Sequence, residues 1–291
     1  MSTSEYLTVP PDIQLVDKAS NLIASIHQEA LGSSMSCVMS VRLGNAKDPL
    51  AALKLYDRRG SQDLREQNEA HTWSPKEEEQ YVRFVESGSA AKYQKEIWDE
   101  GTEPKDAPQV ETWIHDYCEE YFESETKFYD WVKPLQGRDV PRLLATVSYE
   151  LRRAGNPAYQ HFLSVPGIIM EFFDGFSLFE MPTRIPKERW QEVIDSAVST
   201  VDKMGAVYGV LNKDISPRRN IKVRMVQEDG GKTSYQVVFY DFALSSTRDG
   251  FKTEEQWLEA KRSQDERGAV GAVMQNQLNR AGARLLQVLM G

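Results

Sequence analysis

The side chains best placed to do chemistry lie late in the chain. The run Tyr208-Gly-Val-Leu-Asn-Lys-Asp214-Ile-Ser-Pro-Arg-Arg-Asn220 puts a carboxylate and a carboxamide on one short loop. A β-prone run, Val237-Val-Phe-Tyr240, then ends in a second carboxylate, Asp241-Phe-Ala243. Such oxygen donors suit a hard divalent cation, and an aspartate beside them could accept a proton. Arg218, Arg219, Lys222 and Arg224 crowd the same stretch. Taken alone, that cluster reads as a solvated loop.

These groups need elements to position them. Trp190, Val193, Ile194, Ala197, Val201 and Met204 recur at helical spacing, so the sequence predicts a helix over 186–208, with Pro186 near its start, leading into the Asp214 loop. Leu50-Ala-Ala-Leu-Lys-Leu-Tyr56 alternates as a strand, placing Lys54 on the face opposite Leu53 and Leu55. From 113 to 133, Ile114, Cys118, Tyr121, Glu125, Phe128 and Val132 form one stripe at intervals of four and three. Glu125 is a carboxylate in an otherwise apolar seam, so it needs a partner, or water if the seam ends there. Lys54 is the partner the pattern offers.

Further strands are expected over 35–43, ending at the Gly44-Asn45 turn signal, over 141–147 and over 167–173. Ile13, Val16, Leu22, Ile23 and Ile26 predict an amphipathic helix over 11–31. Ser74-Pro-Lys-Glu77 is a capping box opening a helix that Gly88 stops, and a second helix begins near Ser89. After Asp241, a polar or amphipathic helix is expected over 254–289.

Composition sets outer limits. The 291 residues, 40% hydrophobic and 27% charged, describe an ordinary globular chain long enough for a sizeable core. Only Cys37 and Cys118 occur, which excludes a disulfide framework and favours a reducing compartment. Met1 to Glu5 lacks signal-peptide character and no apolar run could span a bilayer, so a cytoplasmic location is expected. The net charge of −9 argues against polyanionic partners, although residues 57–112 alone carry −6, from fourteen acids and eight bases. That segment reads as a solvated acidic surface. His27, His71, His115 and His161 show no ligand spacing.

Lys54, Glu125, Asp214 and Asp241, in this order, resemble the signature of the protein-kinase-like superfamily. The resemblance implies an α+β, two-lobed protein-kinase-like fold with a helical insertion in the N-lobe and a truncated C-lobe. Its implied divisions are an N-terminal helical segment, 1–34, an N-lobe, 35–173, with the insertion at 57–112, and a reduced C-lobe, 174–291. Lys54 would pair nucleotide phosphates, Glu125 would hold it, Asp214 would be the catalytic-loop carboxylate and Asp241 a metal ligand. Tyr56-Asp-Arg-Arg59, Asn212-Lys-Asp214, Asp241-Phe-Ala243 and Asp265-Glu-Arg-Gly-Ala-Val-Gly271 further resemble small stand-alone fungal kinase-like proteins, near the arginine-containing cyclodipeptide synthases of secondary metabolism.

The departures matter. The superfamily places Asn five positions after Asp, whereas Arg219 is fifth here and Asn220 sixth. Either the loop bulges by one residue or a cation stands where a metal ligand belongs. Gly44 is the only glycine between Met35 and Lys54, Asn212 and Lys213 replace His and Arg, and Ala243 replaces Gly. Three functions follow. The first is a tRNA-dependent cyclodipeptide synthase that uses no cofactor: Asp214, Asp241 and Glu125 would form an acidic cleft for arginine, and Arg218, Arg219, Lys222 and Arg224 would grip aminoacyl-tRNA. The second is an ATP- and Mg-dependent small-molecule phosphotransferase with Asn220 and Asp241 on the metal. The third is a non-catalytic binding module.

Overall fold

A computed structural model of the protein describes residues 12–17, 21–28, 36–44 and 49–282, with side chains from residue 36 onward. The chain divides into two compact units. One contains residues up to Glu123 together with Leu143–Phe172, and the other contains Ser124–Arg142 and everything from Phe173.

The first unit is built on a closed antiparallel barrel in the order β1-β2-β3-β4-β6-β5. Its strands are β1 (Asp12–Asp17), β2 (Asn21–Gln28), β3 (Cys37–Leu43), β4 (Leu50–Leu55), β5 (Leu143–Glu150) and β6 (Ser164–Glu171). Met39, Val41, Ala51, Leu53, Leu55, Val147, Val165 and Ile169 fill it. Side chains of period two from facing strands make this core. The helix expected over 11–31 is instead the β1–β2 hairpin, with Asp12 opposite Ser25 and Val16 opposite Asn21. Ile13-x-Leu15 and Leu22-x-Ala24-x-Ile26 also alternate with period two, and pairing with β5 and β3 selects that period. Residues 1–11, 35, 45 and 283–291, which bear on the leader, turn and C-terminal readings, lie outside the described residues.

Between β4 and β5 run α1 (Gln62–Gln67), α2 (Pro75–Glu86), α3 (Ser89–Glu100) and α4 (Ala107–Trp131). Ser74 caps α2 by accepting from Glu77 N, with Pro75 at the first turn, as the capping box requires. Tyr81, Val82, Val85 and Ala90 pack with Ala154, Phe162 and Leu163 in a second apolar cluster. The segment read as a solvated acidic surface is partly interior. Arg58 and Arg65 are 3% and 2% exposed, and both bind Glu111, itself 2% exposed. Arg58 also reaches Glu78 at 2.6 Å and covers the Tyr81 ring at 3.9 Å. Cys118 is buried, and burial pushes its thiol up to about 12. That makes it an unreactive thiol.

The second unit holds the last turns of α4 and then β7 (Phe176–Ser177), α5 (Met181–Arg184), α6 (Trp190–Asp202), β8 (Val210–Asn212), β9 (Ile221–Gln227), β10 (Thr233–Phe239), β11 (Ser245–Thr247), α7 (Glu254–Gln264) and α8 (Glu266–Arg280). A π-helical turn, Lys203–Val207, links α6 toward β8. β9 pairs with both β7 and β10, and β8 pairs with β11. Among the described residues no helix is long and apolar enough to cross a membrane.

Candidate functional site

Two short pairings bring the late motifs together. β9 and β10 are antiparallel with Ile221 opposite Phe239, and Tyr240 N donates to Asn220 O at 3.0 Å. Asn220 at the start of one strand is therefore one residue from facing Asp241 at the end of the other. On the other side, β8 and β11 pair with Asn212 opposite Ser245, and Lys213 N donates to Leu244 O at 3.3 Å. The Asp214 loop and the Asp241 turn are thus tied on both flanks.

The loop's own hydrogen bonds bear on the two alternatives for its spacing. Asn220 is 4% exposed, and its amide nitrogen donates to the Asp214 main-chain carbonyl and, at 3.1 Å, to Asp214 Oδ2. The loop bulges, with Arg219 N and Asn220 N both donating to Ser216 O. Arg219 turns outward, its side chain 62% exposed, and meets Asp214 Oδ1 at 2.7 Å. It pairs with the carboxylate and does not replace Asn220. Ser216 Oγ accepts from Arg219 N, a turn-forming role.

Asp241 sits at φ +66°, a left-handed conformation unusual for a residue with a side chain, costing about 1–3 kcal/mol. What holds it there is the next residue. Phe242 is fully buried, stacked on Phe128 of α4 with centroids 3.6 Å apart and edge-on to Tyr129 at 5.9 Å. Phe239 N also donates to Asp139 O at 3.0 Å. Strain so constrained is typical of functional positions.

Glu125 is fully buried in the α4 seam, with Ile114, Cys118, Phe128 and Val132 buried along it. It does not reach water. Burial first, then the charges of Glu125 and Asp241, push the Tyr129 phenol well above its ordinary value. Lys54 belongs to the barrel unit. It is 3% exposed on β4, with Nζ 5.2 Å from the Tyr56 ring centroid.

The basic residues are engaged. Arg218 lies over Phe179 at 4.2 Å, and Arg224 over Phe173 at 4.5 Å with a hydrogen bond to Gln236 Oε1 at 2.7 Å. Lys222 lies over Tyr240 at 5.3 Å, and burial lowers its pKa against the opposing pull of Asp174. A groove of about 450 Å³ opens beside the loop, between Ile215–Arg219 and the α8 residues Ala269, Val273 and Gln277.

Sequence reasoning missed the groups that hold the loop from behind. Glu266, 2% exposed, accepts from Asn212 N at 2.9 Å and pairs with Lys261. Gln264 Nε2 donates to Lys213 O at 2.9 Å. Asn212 accepts from Asp214 N through Oδ1 at 2.9 Å. Asp265 takes φ +42° and caps α8 by accepting from Gly268 N, so that its neighbour Glu266 enters the interior. The sequence signal was Asp265-Glu266 itself, an N-cap followed by an acid.

No protein-family model and no curated protein matches the sequence. Among solved structures, the chain is similar to the Rio2 kinase of Chaetomium thermophilum in an ADP/Mg2+-phosphoaspartate complex, with TM-score 0.50 and 10% identity over 87% of this chain. It spans 57% of that chain. Another Rio2 kinase structure from the same organism gives TM-score 0.49, 12% identity, and coverage of 87% and 58%. The fold is protein-kinase-like. It is α+β, with α1–α3 as the helical insertion. The likeness at such low identity is to fold alone, and it gives no support to the cyclodipeptide synthase group. The expectation of aminoacyl-tRNA substrates is overturned: the similar structure is a complex with ADP and Mg2+, and the arginines meant to grip tRNA are spent on Phe179, Asp214, Phe173 and Gln236.

The donor set fits magnesium. Asp241 supplies a carboxylate, and Asn220, with its NH2 turned to Asp214, keeps its amide oxygen for another ligand. Both are hard oxygen donors, as Mg2+ demands.

Proposed function

We propose that the protein is an ATP- and Mg2+-dependent phosphotransferase acting on a hydroxyl-bearing acceptor. The observation that carries this reading is the Asn220 amide bonded to Asp214, in a register that sets Asn220 beside Asp241. Asn220 and Asp241 would hold the metal, which when bound offsets charge on the transferring phosphate oxygens.

The residues of the loop divide the remaining work. Asp214 Oδ2, oriented by Asn220 Nδ2, would accept the proton of the acceptor hydroxyl as that oxygen bonds to the γ-phosphorus of ATP and the γ-phosphorus–bridging-oxygen bond breaks, releasing ADP. Arg219 holds the other oxygen, Oδ1. Because Arg219 is mostly exposed, its pair with Asp214 is worth at most about 1 kcal/mol and opens readily. Asn212, Gln264 and Glu266 fix the loop backbone so that Asp214 need not reorganise.

Incubation with ATP labelled at the γ-phosphate, with and without Mg2+, tests the reading. Mg2+-dependent loss of the γ-phosphate is expected, falling by about 10²–10⁴-fold in Asp214→Asn. Turnover that persists unchanged in Asp214→Asn and Asp241→Asn would reject it.

A further inference from the structure

A second cluster lies in the barrel unit. On α4, one ring nitrogen of His115 and one carboxylate oxygen each from Asp116 and Glu119 fall within 4.8 Å of one another. Their side chains are 4%, 12% and 33% exposed. His115 Nε2 is 3.1 Å from the main-chain oxygen of His161. A carbonyl oxygen has lone pairs and no proton, so Nε2 is an N–H, and in the neutral ring Nδ1 carries the lone pair.

That lone pair has no hydrogen-bond partner. Nδ1 is buried without one, and so is Oδ2 of Asp116. The other Asp116 oxygen accepts from Gln94 Nε2 at 2.6 Å and lies 3.9 Å from Nδ1. Two buried polar atoms thus sit on adjacent residues without a hydrogen-bond partner for either, an arrangement that folded proteins rarely leave unmet. A cation between them would satisfy both. Glu119 Oε1, one-third exposed, lies 3.8 Å from the Nε2 side of the His115 ring and must swing toward Nδ1 to join them. The His161 ring, at a centroid distance of 6.2 Å, feels the charges of both carboxylates.

We propose that His115 Nδ1, Asp116 and Glu119 bind a divalent transition-metal ion. The mixture of imidazole and carboxylate favours Zn2+, for which donor atoms stand about 2.0–2.2 Å from the ion, so the ligand atoms, all within 4.8 Å of one another, must draw together around it. The Nε2–H bond to the His161 carbonyl is the outer-shell contact that fixes the tautomer of a metal-ligating histidine. Three protein ligands leave one tetrahedral position for water. The site would fasten α4 to the 157–163 segment.

The 291-residue protein, stripped with chelator, is titrated with Co2+ and then Zn2+ while visible absorbance and melting temperature are followed. One ion per chain is expected, with tetrahedral Co2+ bands, a rise in melting temperature and displacement of Co2+ by Zn2+. Glu119→Gln and Asp116→Asn should each weaken binding by more than about tenfold, and His115→Ala should abolish it. If His115→Ala does not fold, Glu119→Gln carries the test, because its side chain is one-third exposed. Asp241→Asn, which alters the other carboxylate site, should bind like the parent. The absence of Co2+ bands and of a melting shift overturns the proposal, as does undiminished binding by Glu119→Gln or loss of binding in Asp241→Asn.

Discussion

Asn220 and Arg219 are neighbours with opposite roles, and replacing each shows it. Arg219→Ala removes an exposed ion pair, so the unfolding free energy should move by less than about 1 kcal/mol. Asn220→Ala strips a buried donor from the Asp214 carbonyl, so a loss of about 1–3 kcal/mol is expected, together with loss of metal-dependent activity. Urea denaturation of both variants makes the comparison, and equal losses would refute the assignment. Glu266 offers a pH test. Burial raises its pKa despite Lys261, so the native state holds its proton more tightly than the unfolded chain does. Its contribution is complete below the ordinary carboxyl value and fades as pH rises through the raised one. Glu266→Gln keeps an acceptor for Asn212 N and should lack that decline, as denaturation at a series of pH values would show. A parallel decline in both proteins would remove Glu266 as its source.

At the scale of elements, helix α4 and the Asp241 turn depend on each other through aromatic packing. Phe242→Ala should cost about 3–5 kcal/mol, because the ring is fully buried against Phe128 and Tyr129. It should also release Asp241 from its left-handed conformation and so lower activity. In the insertion, Glu111→Ala would leave Arg58 and Arg65 buried without their shared carboxylate, at an expected cost of about 3–5 kcal/mol by thermal unfolding. A near-neutral result would mean that both arginines reach water. Much of this level was legible in the sequence, because α2, α3, α4 and α6 carry uninterrupted helical periodicity, and Ser74-Pro75 announces a helix start. The β1–β2 hairpin was not, because short apolar runs satisfy either period and only strand pairing chooses. The β9 strand was hidden by its own basic residues, whose function as ring-covering side chains depends on Phe173 and Tyr240, which are distant in sequence or across the hairpin.

For the molecule as a whole, the sequence showed the order of the motif residues, and coordinates were needed to settle the extra residue in the Asp214 loop. One inserted residue in a linear pattern is compatible with a bulge or a lost ligand; only the buried Asn220 amide separates them. The composition reading failed for residues 57–112 because net charge counts Arg58, Arg65, Glu78 and Glu111 as solvated groups, whereas these two cations and two anions pair with one another, largely in the interior. The central claim is that Asn220 and Asp241 form a magnesium site for a bound nucleotide. Its most direct test is the melting temperature of the full chain titrated with ATP, with and without Mg2+, in the parent and in Asp241→Asn. A ligand at about a hundred times its dissociation constant stabilises the native state by about 2.7 kcal/mol. The predicted result is a rise with ATP that Mg2+ enlarges in the parent and does not enlarge in Asp241→Asn. No rise at millimolar ATP and Mg2+, or an equal Mg2+ effect in the variant, would contradict the claim.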